Sequence, residues 1–186
     1  VLLDAYWDSG SDLGHPEVFA SVFRLDPLFF GYAPGKKDHD GNSPLECYGI
    51  QADSLESYLQ QAGELIEKKV RGGCVALKNA IAYDRPVQYD AVSREQASRV
   101  FETSSPSPEE EKAFQDYFFD WACGLAADLQ VPIQCHTGMG CLEETRAIRM
   151  AGIIRRHPAT KFSIMHGSFP WISDLLALMT SFENVW

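Results

Sequence analysis

Two histidines end short apolar runs in the last third of the sequence, and their type and spacing are suited to metal chemistry. The run 131–136 (VPIQCH) closes on His136, and the run 161–166 (KFSIMH) closes on His166. Glycines follow both runs and a helical pattern lies between them, as in consecutive βα units. Because the carboxyl ends of parallel strands meet in one crevice, histidines 30 positions apart can share a site. Two converging imidazoles suggest a bound metal.

The elements that must position these histidines alternate along the chain. Short apolar runs predict strands, and longer stretches with helical spacing predict helices, which is typical of an α/β fold with a parallel sheet. The segment 31–44, rich in Gly, Pro and Asp, predicts a loop in which His39 is solvated. The predicted strands lie near 1–7, 20–25, 73–79, 131–136, 161–166 and 183–186, and the predicted helices near 53–70, 91–101, 109–129, 142–157 and 172–182.

Two basic residues fall on strand positions that alternate with buried apolar ones. Arg24 lies between Phe23 and Leu25, and Lys78 follows Leu77 at the end of an apolar run. Since side chains alternate between the two faces of a strand, both cations are predicted on the face away from the helices. An ammonium group there is costly unless it is paired or chemically changed. Both residues are therefore candidates for the same site as the histidines.

Composition limits the classes of function. The 186 residues are 45% hydrophobic and 23% charged, which is ordinary for a globular chain with one sizeable core. A formal net charge of −10 argues against a nucleic-acid partner. No apolar run reaches about 18 residues and no leader is visible, so no membrane partner is predicted, although the chain starts at Val1 and a removed leader stays open. Five cysteines without a CxxC pair indicate reduced thiols in a cytoplasmic protein.

Several motifs resemble those of the amidohydrolase superfamily. They are the strand ending VPIQCHTG, the segment RRHPATKFSIMHGSFPW, the final ENVW, and GCVALKNAIAYDRP with its lysine and nearby tyrosine and arginine. The resemblance covers most of the chain and keeps the order of elements. It implies a (β/α)₈ TIM barrel that carries one or two divalent metal ions, with zinc as the expected ion. Most such enzymes hydrolyse their substrates, and some catalyse decarboxylation or isomerisation.

The resemblance also implies roles for individual residues. His136 matches the metal-binding histidine of the fifth strand, and His166 matches a sixth-strand histidine that binds a second metal or acts in catalysis. Lys78 matches the position of a carboxylated bridging lysine, and its context favours an unmodified lysine beside a single metal. Arg24, Tyr83 and Arg85 are candidates for binding a substrate carboxylate, although arginines in such positions are more often salt-bridge partners. The implied substrate is a small amide, ester or lactone.

Two expected features of the family are absent, namely the His-x-His of the first strand and the aspartate of the eighth. A complete barrel needs roughly 250 residues, so residues 1–186 are interpreted as a partial barrel domain with about six of the eight βα units. The first and eighth strands are expected to lie outside it. Expressed alone, such a piece is expected to expose apolar strand edges and to associate, and an oligomer of identical chains stays open.

Three other readings remain. The same barrel could catalyse decarboxylation or isomerisation. A barrel without metal could act as a binding or regulatory domain. A doubly wound α/β domain could bind a small ligand, although no Gly-x-Gly-x-x-Gly follows a strand. All of them share a small-molecule partner.

Overall fold

Five short parallel strands form a curled, open sheet in the computed structural model, which describes residues 1–186. The strands lie side by side in chain order, so each connection returns the chain to the next position along the sheet. Such an arrangement is an α/β half-barrel and is consistent with part of a TIM barrel. The strands are β1 (Leu2–Leu3), β2 (Ala20–Arg24), β3 (Ala76–Asn79), β4 (Ile133–His136) and β5 (Phe162–Met165).

Five of the six predicted strands are confirmed, each shorter than predicted. Only Leu2 and Leu3 of the run 1–7 pair with a neighbour. The run 183–186 forms one parallel bridge, between Val185 and Phe162, and the Trp186 amide donates to the Phe162 carbonyl at 2.9 Å. The chain therefore continues beside β5 in the direction that a further strand would take.

Six α-helices connect and cover the strands. The two long ones have serine caps, because the Ser54 side chain accepts from the Ser57 amide and Ser107 forms a capping box with Glu110. The acidic first turn of the helix that begins at Pro108 also suits the positive end of the helix dipole. The helices are α1 (Pro44–Tyr48), α2 (Leu55–Arg71), α3 (Arg94–Ser98), α4 (Pro108–Asp128), α5 (Ala151–Arg156) and α6 (Ile172–Ser181).

The hydrophobic core lies between one face of the sheet and the helices. Phe118 of α4 packs edge-on against Phe29, and Tyr58 of α2 contacts Phe114. Burial of side chains of this size contributes about 1.5–3 kcal/mol each. The sheet supplies alternate residues to the same core, among them Phe23, Leu77, Ile133, Cys135 and Phe162. The intervening strand residues therefore face away from the helices, as the alternation predicts.

One sequence prediction for local structure needs correction and a second needs refinement. The helix predicted over 142–157 is helical only in α5, and Leu142–Thr145 and Ala147–Met150 are short 3₁₀ turns separated by extended backbone at Arg146. The Thr145 hydroxyl donates to the Gly138 and Leu142 carbonyls, which ties this segment to the loop after β4. His39 is exposed, as predicted, but its ring is not free, since Nδ1 lies 2.8 Å from Asp84 Oδ2.

No helix of the structure combines the length and the apolar character needed to span a bilayer.

Candidate active site

The face of the sheet turned away from the helices forms one wall of an open cavity of about 380 Å³. Its polar lining comes from strands β2, β3 and β4 and from the chain just after β1, β3 and β5. In the register of the sheet, Arg24 lies beside Lys78 and Lys78 beside Gln134. We call this cavity the strand-end pocket; it is lined by Leu2, Asp4, Val22, Arg24, Lys78, Tyr83, Gln134, His136, Met165 and His166.

The two strand-end histidines meet in this pocket. The ring centroids of His136 and His166 are 4.3 Å apart. His136 is only 6% exposed, and its Nε2 is buried without a hydrogen-bond partner. A buried ring nitrogen costs free energy unless it has a partner. The orphaned Nε2 therefore has the character of a metal ligand.

The electrostatics of the pocket keep both imidazoles neutral. Burial, with the nearby His166 and Lys78, lowers the pKa of His136 to about 4. Burial and Lys78 also lower the pKa of His166. A metal ligand must offer a lone pair, and only a neutral imidazole does so. The residues present thus fit a divalent cation, which the pair could hold together with further ligands.

The backbone after each strand brings the loops together around the histidines. His166 has a φ of 63°, a left-handed conformation that histidine adopts more readily than most residues. Gly138 has a φ of 83°, and a Cβ there would lie 2.2 Å from the Phe169 carbonyl oxygen. The loop after β4 can therefore approach the loop after β5 only with glycine at position 138. The Thr137 hydroxyl adds a bond to the Met165 carbonyl at 2.9 Å.

Lys78 lies on the floor of the pocket. The residue is 5% exposed, and its ammonium group forms no ion pair. Burial lowers the pKa of Lys78, partly offset by Asp4. Its position on the inner face agrees with the alternation of β3. A buried, unpaired ammonium is suited to an anionic partner, such as a substrate carboxylate.

The three substrate-binding candidates have different positions. Arg24 reaches the pocket, but its guanidinium pairs with Asp4 at 2.7 Å and with Asp40 at 2.8 Å. The Tyr83 ring lines the pocket, with its centroid 4.6 Å from that of His136. The structure does not bring Arg85 to this group. Its guanidinium pairs instead with Asp116 of α4 at 2.5 Å, in the buried interior.

A second group of polar side chains also contacts Tyr83, through His39. The ring centroids of His39 and Tyr83 are 4.8 Å apart, and His39 Nδ1 lies 2.8 Å from Asp84 Oδ2. One ligand atom from each of Asp26, His39 and Asp84 lies within 4.8 Å of the others. We call these three residues the loop cluster. Sequence reasoning missed it, and only the Asp26-Pro27 pair at the strand end and the acidic context of His39 could have signalled it.

Comparisons with known proteins place the chain in a family. The family sequence profile described as Amidohydrolase matches residues 46–186, which is most of the chain. The structure is an α/β half-barrel that brings two imidazoles together at the ends of neighbouring strands. This chain belongs to the amidohydrolase family. No curated protein sequence matches it.

Solved structures show the same fold at low sequence identity. A proposed metal-dependent hydrolase from Lactobacillus casei ATCC 334 aligns with a TM-score of 0.71 and 18% identity, over 90% of this chain and 43% of its own. A uronate isomerase from Thermotoga maritima gives a TM-score of 0.68 and 13% identity, over 95% of this chain and 46% of its own. A glucuronate isomerase from Caulobacter crescentus aligns with a TM-score of 0.56 and 13% identity, over 83% of this chain and 39% of its own. This chain spans less than half the length of each.

Proposed function

We propose that this chain forms part of a metal-dependent hydrolase of the amidohydrolase type that acts on a small amide, ester or lactone. The observation that carries the proposal is the pair of neutral imidazoles at the ends of β4 and β5, with the buried Nε2 of His136 unpartnered. Family membership supports it, because the matched residues include both histidines. The proposed hydrolase from Lactobacillus casei is similar in fold.

His136 is the proposed metal ligand, and His166 either shares the metal site or acts on the substrate. A divalent metal ion, for which we propose zinc, supplies a water molecule whose pKa is lowered toward about 7. His166 is more exposed than His136 and stands beside it, so its ring can donate a hydrogen bond to a substrate carbonyl. Such a donor stabilises the negative charge that develops on that oxygen during attack.

The remaining pocket residues are proposed to hold the substrate. Lys78 offers an unpaired ammonium on the pocket floor, and an unmodified lysine suits a substrate with an anionic group. Tyr83 offers an aromatic face and a hydroxyl at the pocket wall. Arg24 is held by two carboxylates and contributes positive charge in a fixed position. Arg85 lies in the interior and is left out of the proposed substrate site.

We further propose that residues 1–186 are one portion of a larger barrel, whose first and eighth strands supply the remaining metal ligands. The similar structures support this, since each of their chains is more than twice as long as the part that aligns. A small-molecule substrate is part of the same proposal, and an oligomer of identical full-length chains stays open. A cytoplasmic location stays a prediction.

An isomerase acting on a sugar acid is the second candidate. The pocket brings two cations, Arg24 and Lys78, to adjacent positions of neighbouring strands. This pair suits a substrate that carries a carboxylate among hydroxyl groups. Two of the similar structures are described as uronate and glucuronate isomerases.

The test replaces His136 in full-length protein and measures both bound metal and turnover. We expect His136→Ala to lose the metal of the strand-end pocket, as determined by elemental analysis, and to lose hydrolysis of a panel of esters, lactones and amides. His157→Ala is the control, because His157 is a half-buried histidine at the end of α5, 3.2 Å from Asp120 and outside the strand-end pocket. Wild-type activity in a folded His136→Ala variant would refute the hydrolase proposal. Turnover of uronates alone would favour the isomerase.

A further inference from the structure

The loop cluster is separate from the strand-end histidines. Asp26 follows β2, His39 lies in the loop between β2 and α1, and Asp84 follows β3. The Tyr83 ring contacts both His39 and His136, with centroid distances of 4.8 Å and 4.6 Å. None of the three cluster residues lines the strand-end pocket, so a ligand held by the cluster would have different protein partners from one held by His136.

Asp26 lacks a partner that its burial requires. The side chain is completely buried, and its Oδ2 accepts a hydrogen bond from the Ala80 amide at 2.9 Å. Its Oδ1 is buried without a hydrogen-bond partner. The same carboxylate supplies one of the three ligand atoms of the loop cluster. A buried carboxylate oxygen without a hydrogen-bond donor destabilises the folded state. A cation at the cluster would remove that destabilisation.

His39 is arranged as histidine ligands of metals usually are. Its Nδ1 lies 2.8 Å from Asp84 Oδ2, and its Nε2 lies 3.4 Å from Asp40 Oδ2. Arg24 in turn donates to Asp40 at 2.8 Å. Ligating histidines commonly direct the second ring nitrogen toward a carboxylate, which fixes the ring and raises its basicity. Asp40 is placed to do this for His39.

The charge around the cluster is also unbalanced. Asp38 has a buried Oδ2 without a partner, while its Oδ1 accepts from the Asp40 and Asn42 amides. Carboxylates therefore outnumber the cationic groups, of which Arg24 is already shared between Asp4 and Asp40. An added divalent cation would offset this excess.

We propose that Asp26, His39 and Asp84 bind a divalent transition-metal ion at a site distinct from the one at His136. Two carboxylates and one imidazole suit Mn²⁺ or Zn²⁺. With bonds of about 2.1 Å, ligand atoms on one ion are at most about 4 Å apart, so the 4.8 Å spread needs only a small contraction. The 2.8 Å between His39 and Asp84 already matches adjacent ligands.

The test titrates Mn²⁺ into full-length protein stripped with EDTA and counts bound ions from the loss of the free-ion EPR signal. We expect Asp26→Asn, His39→Gln and Asp84→Asn each to weaken one Mn²⁺ site by at least about 100-fold, more than loss of an outer partner would. His136→Ala should keep that site. Asp90→Asn, which removes a remote carboxylate, should match the wild type.

Thermal unfolding with and without Mn²⁺ provides a second measurement. Mn²⁺ should raise the melting temperature of His136→Ala, which keeps only the loop cluster, and should leave that temperature unchanged when Asp26→Asn or His39→Gln is added to His136→Ala. His39→Gln keeps the test valid if Asp26→Asn does not fold. Mn²⁺ binding that is equal in wild type and all three cluster variants would overturn the proposal. Failure of the hydrolase proposal would appear differently, as activity that survives His136→Ala.

Discussion

The strand-end pocket and the loop cluster place the same side chain in opposite electrostatic environments. Burial, together with the neighbouring imidazole of His166 and Lys78, lowers the pKa of His136 to about 4. His39 lies against Asp84 and Asp40, and the hydrogen bond to Asp84 raises its pKa although burial opposes the rise. Both rings contact Tyr83. Burial favours the neutral form of both histidines, and only at His39 do neighbouring carboxylates outweigh it.

The difference follows from which part of the fold supplies the neighbours. Strand ends of a parallel sheet project few side chains into the crevice, and in this chain Asp4, paired with Arg24, is the one acidic side chain among them. Loops are free to gather carboxylates, as the turn around Asp38 does when it holds His39. The first region favours a metal site with an open position for a substrate, and the second favours a site enclosed by protein ligands.

The largest expected effect concerns His166. Its replacement tests whether His166 acts on the substrate while His136 binds the metal. His166→Asn should lower kcat by roughly 10²–10⁴-fold, the range for loss of a catalytic proton donor. Asparagine is chosen because it tolerates the left-handed backbone that His166 adopts, so the fold should persist. Steady-state kinetics and elemental analysis on the same preparation are the measurements.

The metal content of His166→Asn distinguishes a catalytic role from metal binding. If His166 acts on the substrate, His166→Asn keeps the metal that His136→Ala loses. Equal loss of metal in both variants would make His166 a ligand and end its assignment as a hydrogen-bond donor.

The fold and the strand-end pair could be predicted because both depend on local regularities. Strand alternation places Arg24, Lys78 and His136 on one face, and the register of the sheet then aligns them. Arg85 could not be placed in this way. It lies beyond β3 in irregular structure, where its direction depends on Asp116, a residue 31 positions away on α4.

The loop cluster was beyond prediction for a similar reason. His39 and Asp84 are 45 positions apart and lie in segments without periodicity. Their meeting depends on how two loops pack around Tyr83, which no repeat in the sequence indicates. Asp26 is a strand-end residue, but it begins the 3₁₀ turn Asp26–Phe30, all of which is buried, and the sequence does not indicate that burial.

An intermediate effect is expected for Arg85, which belongs to neither region. Arg85→Met should lower the free energy of unfolding by roughly 3 kcal/mol, because it leaves the buried Asp116 carboxylate with only Lys112 as an ion-pair partner. Chemical denaturation is the measurement. Arg71→Met is the matched control, since Arg71 pairs with Glu67 on the surface and should cost less than about 1 kcal/mol. A change in KM without a change in stability would return Arg85 to the substrate site.

The smallest effect concerns Tyr83, whose ring contacts both His39 and His136. Two variants test the ring and the hydroxyl separately. Tyr83→Leu removes the aromatic contacts with His39 and His136 and should lower the free energy of unfolding by about 1 kcal/mol. Tyr83→Phe keeps those contacts, so stability should hold while KM rises about 2- to 10-fold if the hydroxyl binds substrate. Mn²⁺ affinity of the loop cluster should stay within about threefold in Tyr83→Phe. A larger change would mean that the two regions are coupled through this side chain and form one site.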